Sequence, residues 1–204
     1  METKQAGSPD NKLKQGKLIF DISISLDGFI AGPHVSVEQP MGNSGMRLHH
    51  WIFDGKTDID KKVLAETVEN SGAVIVGGRT YHVAIKDAWG GVSPFIVPAF
   101  VLSENVPEKI PAGFTFISNG IETAATQAKA VAGHKNVWVM GGAAIGRKYI
   151  KSGLLDEIHI HLIPVLIGEG IPLFDHNSTQ HIELERIEVI ESPAATHLKF
   201  HVIK

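Results

Sequence analysis

Two short apolar runs, each closed by a pair of glycines, constrain this chain most. Ala73-Val74-Ile75-Val76 runs into Gly77-Gly78-Arg79-Thr80, and Asn136 to Met140 runs into Gly141-Gly142-Ala143-Ala144. A short unbroken apolar run reads as a strand buried on both faces, as in a parallel sheet covered by helices. In such a sheet ligands bind where loops and helix N-termini leave the carboxyl ends of the strands. Glycine there removes the Cβ that would hold a phosphate off the backbone, and exposed N–H groups at a helix start favour an anion. A tight turn alone explains one such cluster; two of them, ending two buried strands, favour a ligand cradle. Neither is a standard nucleotide fingerprint. The pattern G-x-G-x-x-G fails at Ala143, and a phosphate loop over Gly141 to Lys148 fails because Arg147 and Lys148 replace the required Lys and Ser/Thr. Kinase-type phosphoryl transfer and a Rossmann dehydrogenase both lose ground.

The rest of the chain supplies more strands and helices in alternation. From Lys17 to Asp27, Leu18, Phe20, Ile22, Ile24 and Leu26 face one way while Asp21, Ser23, Ser25 and Asp27 face the other, the period of a strand. A Gly/Pro-rich loop to Gly45 and an amphipathic segment, Met46 to Phe53, follow. Thr57 or Asp58 caps a helix to about Asn70, with Gly72 at its stop. Short strands are expected at Ala99 to Leu102 and Phe114 to Ile117, helices at Ile121 to Ala132 and Ala143 to Ser152, and a strand at Asp156 to Pro164. Ile182 to Glu191 and Ala195 to Ile203 read as a hairpin turning at Ser192-Pro193. This order predicts an α/β fold with a mostly parallel central sheet and an antiparallel C-terminal hairpin.

Composition narrows the function. The formal net charge is −3 and the cations are scattered, so nothing suggests a nucleic acid or an anionic membrane as partner. Without cysteine there is no disulfide, thiolate nucleophile or cysteine-held metal. No apolar run approaches the roughly 18–20 residues of a membrane span, and Met1 to Gly16 is polar, so a cytoplasmic protein with a flexible leader, 1–16, before one domain, 17–204, is expected.

The order of motifs resembles a known family. Ser25-Leu26-Asp27-Gly28 is similar to the start of the reductase domain of the riboflavin-biosynthesis deaminase-reductase, and Gly77-Gly78-Arg79-Thr80-Tyr81 to the Gly-Arg-Thr segment of dihydrofolate reductases. Most specific are Met140-Gly141-Gly142, Gly153 to Ile158, and Pro164 to Phe174. Leu48 to Phe53 with Trp89-Gly90-Gly91 resembles the small stand-alone dihydrofolate reductase family proteins. The resemblance covers about Lys17 to Lys204 and implies a dihydrofolate-reductase-like three-layer fold, a homodimer, and a nicotinamide cofactor. It implies that Gly141-Gly142, joined by a cis peptide, lies on the cofactor diphosphate, with Ala143, Ala144 and Ile145 at the helix start. Gly77, Gly78, Arg79 and Thr80 would hold the other side, and Ser103 would lie by the adenosine ribose. Two departures matter. The pterin-binding carboxylate of dihydrofolate reductases would fall near Leu48, where no acid stands between Met46 and Phe53, so dihydrofolate is a poor candidate substrate. The resemblance makes NADPH the expected cofactor, but Glu104 would repel its 2′-phosphate, which leaves NADH open.

Substrate is expected between the loop Asp27 to Gly45 and the segment Leu48 to Phe53, touching Ile30, Leu48, His50 and Trp51, with Asp27 binding a polar group or relaying a proton. Asp27 equally suits a turn cap, and Trp51 a core position. No metal is expected: His159 and His161 share a strand face, but a cupin would place a glutamate closer than Glu169, and half-buried or interface histidines fit better. The reading is an NAD(P)H-dependent reductase of a small pterin-, pyrimidine- or flavin-precursor-like heterocycle. A non-catalytic nucleotide-binding protein on the same fold is the alternative.

Overall fold

The alternating segment forms β1 (Leu18–Ser25), and the chain folds back on it repeatedly. The computed structural model describes residues 15–54, 57–174 and 181–204. After β2 (Phe29–Ala31) and a 3-10 turn (Gly45–His49), α1 (Asp58–Asn70) leads into β3 (Ser71–Gly77) and α2 (Gly78–Ala84). β4 (Ala99–Leu102), β5 (Phe114–Ile117), α3 (Ile121–Ala132), β6 (Asn136–Met140), α4 (Ala143–Ser152) and β7 (Glu157–Ile163) follow. β8 (Ile171–Pro172) pairs with β2 in a small separate ribbon, while β9 (Leu184–Glu191) and β10 (Thr196–Val202) close the chain.

One eight-stranded sheet has the order β5-β4-β3-β6-β1-β7-β10-β9. Its first six strands are parallel, and β10 runs antiparallel to both β7 and β9. The expected parallel sheet and C-terminal hairpin are therefore present. Ser192, whose N–H and hydroxyl both donate to the Ala195 carbonyl, makes the hairpin turn.

β1 sits near the middle, so both of its faces are covered. Leu18, Phe20 and Ile24 enter one core with Ile75, Val139 and the small side chains of α3: Ala124, Ala125, Ala128 and Ala132. Those alanines let α3 lie close on the sheet. Gly146 does the same for α4, since a Cβ there would stand 2.4 Å from Phe20 Cζ. The opposite face carries Leu48, Trp51, Val63 and Ile163.

Three details depart from the sequence reading. Gly72 ends no helix: α1 stops at Asn70 and Gly72 lies within β3, where a Cβ would meet the Ala132 backbone at 2.8 Å. The β2–β8 ribbon is too short to leave a period in the sequence. Residues 1–14 of the expected leader lie outside the described residues, but Gly16 is buried, its N–H donating to the Gly133 carbonyl.

Candidate active site

The two glycine-bearing strand ends are neighbours. β3 and β6 pair with Val76 opposite Met140, so Gly77 and Gly141 leave the sheet side by side. A Cβ on Gly78 would lie 2.8 Å from Ser103 Cβ, and one on Gly142 would lie 3.0 Å from Thr80 Oγ1. A side chain at 78 or 142 would thus crowd Ser103 or Thr80 at this edge, while Gly77 and Gly141 have ordinary clearance. Gly141 and Gly142 have φ of 67° and 87°, a region open to glycine. The expected cis peptide is not formed: among the described residues every peptide bond is trans, and the positive φ angles make the turn instead.

Beyond these ends opens a cleft of about 1480 Å3, lined by Gly77, Gly78, Arg79, Thr80 and Ser103 on one side and by Gly141, Gly142, Ala143, Ala144 and Ile145 on the other. Single-ligand pockets usually measure about 300–1,000 Å3, so this one has room for a dinucleotide and a second small molecule. α2, α3 and α4 all begin on it, at Gly77, Gly120 and Gly142, and none has a side-chain cap. α1, which starts elsewhere, carries a full capping box between Thr57 and Asp60. No side chain caps the leading N–H groups at the cleft, and the partial positive charge of a helix start favours an anion. Arg79, Arg147 and Lys148 add cations, with Arg147 Nε donating to the Ala143 carbonyl at 3.3 Å. Glu104 lines the cleft as well.

The other half of the cleft differs from expectation. Ile30 and Trp51 line it, but Leu48 is fully buried in the core and His50 is not among the lining residues. The 3-10 geometry of Gly45–His49 turns Met46 and His49, three residues apart, toward the cleft and Leu48 into the core. Burial pushes the His49 ring down to about 4, the charge of His161 adding to it, so His49 is neutral there near pH 7. Asp27 is also absent from the lining. Its two carboxylate oxygens accept from the N–H groups of Ile167 (3.1 Å) and Gly168 (2.7 Å), anchoring the loop after β7.

A carboxylate does reach the cleft, from β1. Asp21 and His161 line it, with the Trp51 ring tilted 42° against His161 at 4.3 Å between ring centres and its Nε1 donating to Ser23 Oγ at 2.9 Å. His161 Nε2 stands 3.0 Å from Asp21 Oδ1, His161 Nδ1 2.7 Å from His197 Nδ1, and His197 Nε2 3.0 Å from Asp60 Oδ1. All four side chains are buried. Burial pushes Asp21 up, but the charge and hydrogen bond of His161 and the nearby His159 hold it well below the usual carboxylate range. Burial and the charge of His161 hold His197 below the ordinary histidine value against the pull of Asp60. The expectation of half-buried histidines at 159 and 161 understated the second, which is a member of this row. With β1 between β6 and β7, Asp21, Ser23 and Ser25 cannot lie in water and need buried partners, a demand that the alternation of β1 alone does not announce. The His-x-His of β7 and His197 of β10, in register beside them, supply those partners.

Known proteins resemble this chain over much of its length. Residues 100–196 match the family model described as the RibD C-terminal domain. Over 172 residues the chain is 30% identical to the uncharacterized protein YwjB of Bacillus subtilis (strain 168), covering 82% of this chain and 87% of that one. Among solved structures, a putative riboflavin biosynthesis protein from Shewanella sp. PV-4 superposes with a TM-score of 0.71 at 22% identity, over 92% of this chain and 99% of that one. Dihydrofolate reductase from Enterococcus faecalis, complexed with NADP(H), superposes with a TM-score of 0.64 at 14% identity, over 94% and 99%. At those identities the structures establish the fold, which is dihydrofolate-reductase-like. With its sequence relatives and its matching segment taken together, the chain belongs to the RibD C-terminal domain family.

Proposed function

We propose that this chain is a nicotinamide-dependent reductase of a small nitrogen heterocycle, of the pterin, pyrimidine or flavin-precursor kind, and not of dihydrofolate. The observation that carries the reading is the junction of Gly77-Gly78 and Gly141-Gly142, where a Cβ would fill the gap between β3, β4 and β6 and uncapped helix starts face the opening. A diphosphate fits that chemistry: close backbone, free N–H groups and the cations Arg79, Arg147 and Lys148. When bound, the nicotinamide supplies hydride. The chain's own part is to hold the cofactor and the heterocycle in line, exclude water and manage the proton.

Two features support the substrate class. Trp51 gives a flat apolar wall, and Asp21 gives a buried anion facing a ligand that presents N–H groups. Leu48 stands in the core where a pterin-binding acid would fall on that segment, which supports a substrate other than dihydrofolate. Asp27 in this reading shapes the rim. Glu104 lines the cleft close to Ser103, so both NADPH and NADH belong in the assay. A homodimer remains part of the proposal: edge strand β9 exposes Leu184, Ile187 and Val189, and light scattering tests it. Among the described residues no helix is long and apolar enough to cross a membrane.

The test is direct titration of the purified chain with NADPH and NADH, followed by cofactor oxidation across a panel of pteridines and pyrimidines. Binding with turnover is expected. Binding without turnover favours the non-catalytic alternative, and no binding of either cofactor overturns the reading.

A further inference from the structure

The row Asp21–His161–His197–Asp60 has a fixed proton count. Between the two Nδ1 atoms, 2.7 Å apart, one proton must lie, because two bare lone pairs repel. Each Nε2–carboxylate contact, at 3.0 Å, needs one more. Three contacts therefore hold three protons, whereas two neutral imidazoles beside two ionised carboxylates would supply two. The row carries one proton in excess and one net negative charge, wherever along it that proton resides.

Resting on the reductase reading, we propose that this row is a proton store whose outlet is Asp21, which passes the excess proton to the substrate atom made basic by reduction. Asp21 is the member with access to the cleft from β1, and its Oδ2 is buried without a hydrogen-bond partner among the described residues. His159 Nδ1 stands 3.7 Å from that oxygen, and its Nε2 lies 2.9 Å from Glu157 Oε2. The substrate nitrogen would meet the Asp21 carboxylate where that residue lines the cleft. As the carbon of a C=N bond gains hydride, and with it two electrons at the expense of the reduced nicotinamide, the π pair moves to nitrogen. His161 Nε2–H passes its proton to the Asp21 carboxylate, nitrogen takes it from there and leaves the carboxylate ionised again, and the imidazole pair falls from three ring protons to two until solvent restores the third. Other titratable groups facing the pair are His159 and Glu157 from β7, and His49 from the 3-10 segment. Trp51 shields the pair from water, its ring 4.3 Å from His161 and 5.0 Å from His197. Asp21 is thus the catalytic residue of the proposal, and His161, His197 and Asp60 position and reload it.

Nuclear magnetic resonance of the full chain labelled with 15N-histidine tests the count. At pH 7 the rings of His161 and His197 should hold three protons, one of them far downfield and coupled to both rings. In Asp21→Asn the side-chain amide can donate to His161 Nε2, and the count should fall to two. Two ring protons in the unaltered chain, or three retained in D21N, overturns the proposal. If D21N fails to fold, pH titration of the unaltered chain decides: one event sensed by both rings supports the store, and independent titrations overturn it. For any compound of the panel that is turned over, D21N should lower kcat by about a hundredfold or more, with the Kd for NADPH within twofold. H161Q should move the pH profile of kcat. Three ring protons without NADPH binding would defeat the reductase reading alone; turnover with two ring protons would defeat the store alone.

Discussion

Replacing Gly142 by alanine separates strain from function. Gly142 has φ of 87°, and a Cβ would stand 3.0 Å from Thr80 Oγ1 across the mouth of the glycine cradle. Holding a non-glycine residue in so sparse a region costs about 1–3 kcal/mol. For a chain of this size that lowers Tm by about 2–4 °C per kcal/mol. If a diphosphate lies in the gap, the added methyl also removes at least one N–H contact to a charged oxygen, worth about 1.5–3 kcal/mol, or roughly a ten- to hundredfold loss of NADPH affinity. Gly153, at the far end of α4, is the control. It too has a positive φ, 68°, but nothing lies within 4 Å of its would-be Cβ. Gly153→Ala should lose about 1–2 kcal/mol of stability and keep its NADPH affinity within twofold. Thermal melts give the strain and fluorescence titration gives the affinity. Equal NADPH affinity in G142A and G153A, at comparable destabilisation, would refute the placement of the diphosphate.

Other perturbations have equally definite outcomes. Gly146→Ala forces a methyl to within 2.4 Å of Phe20 Cζ, so it should cost about 1–3 kcal/mol by overpacking; recovery of Tm in the double variant with Phe20→Leu checks the cause. Burial raises the Glu157 carboxyl, but His159 and Lys17 outweigh that and hold it at about 2, below its ordinary 4.5. Its contribution is thus present above pH 4.5 and fades as pH falls toward 2; the gap in urea midpoint between the unaltered chain and Glu157→Gln should shrink between pH 6 and pH 3, and a constant gap contradicts it. Asp27→Asn should leave NADPH affinity unchanged while the amides of Ile167 and Gly168, which it holds, exchange faster with deuterated water. A large loss of affinity would return Asp27 to the site.

Much of this architecture is legible in the chain because each element obeys a local rule. The apolar runs of β3 and β6, the alanine stripe of α3 and the Thr57 cap each specify their element within a few residues, and the glycine pairs mark the cradle because positive φ at 141 and 142 and the crowding by Ser103 and Thr80 favour glycine. What escapes is what depends on distant partners. Asp21 reads as the wet side of an amphipathic strand until β1 is known to lie between β6 and β7. His50 in place of His49 is a matter of helical pitch: a 3-10 turn shifts the inward face, and no residue type in Gly45–His49 announces that pitch. Asp27 was ambiguous between turn and site because its anchors, Ile167 and Gly168, lie 140 and 141 residues away.

Backbone amide shifts of the full chain on addition of NADPH address the glycine cradle most directly. The N–H signals of Gly78 to Thr80 and of Ala143 to Ile145 should move together and saturate with the same Kd. NADPH binding that leaves both helix starts undisturbed, with its shifts elsewhere on the molecule, would contradict the account.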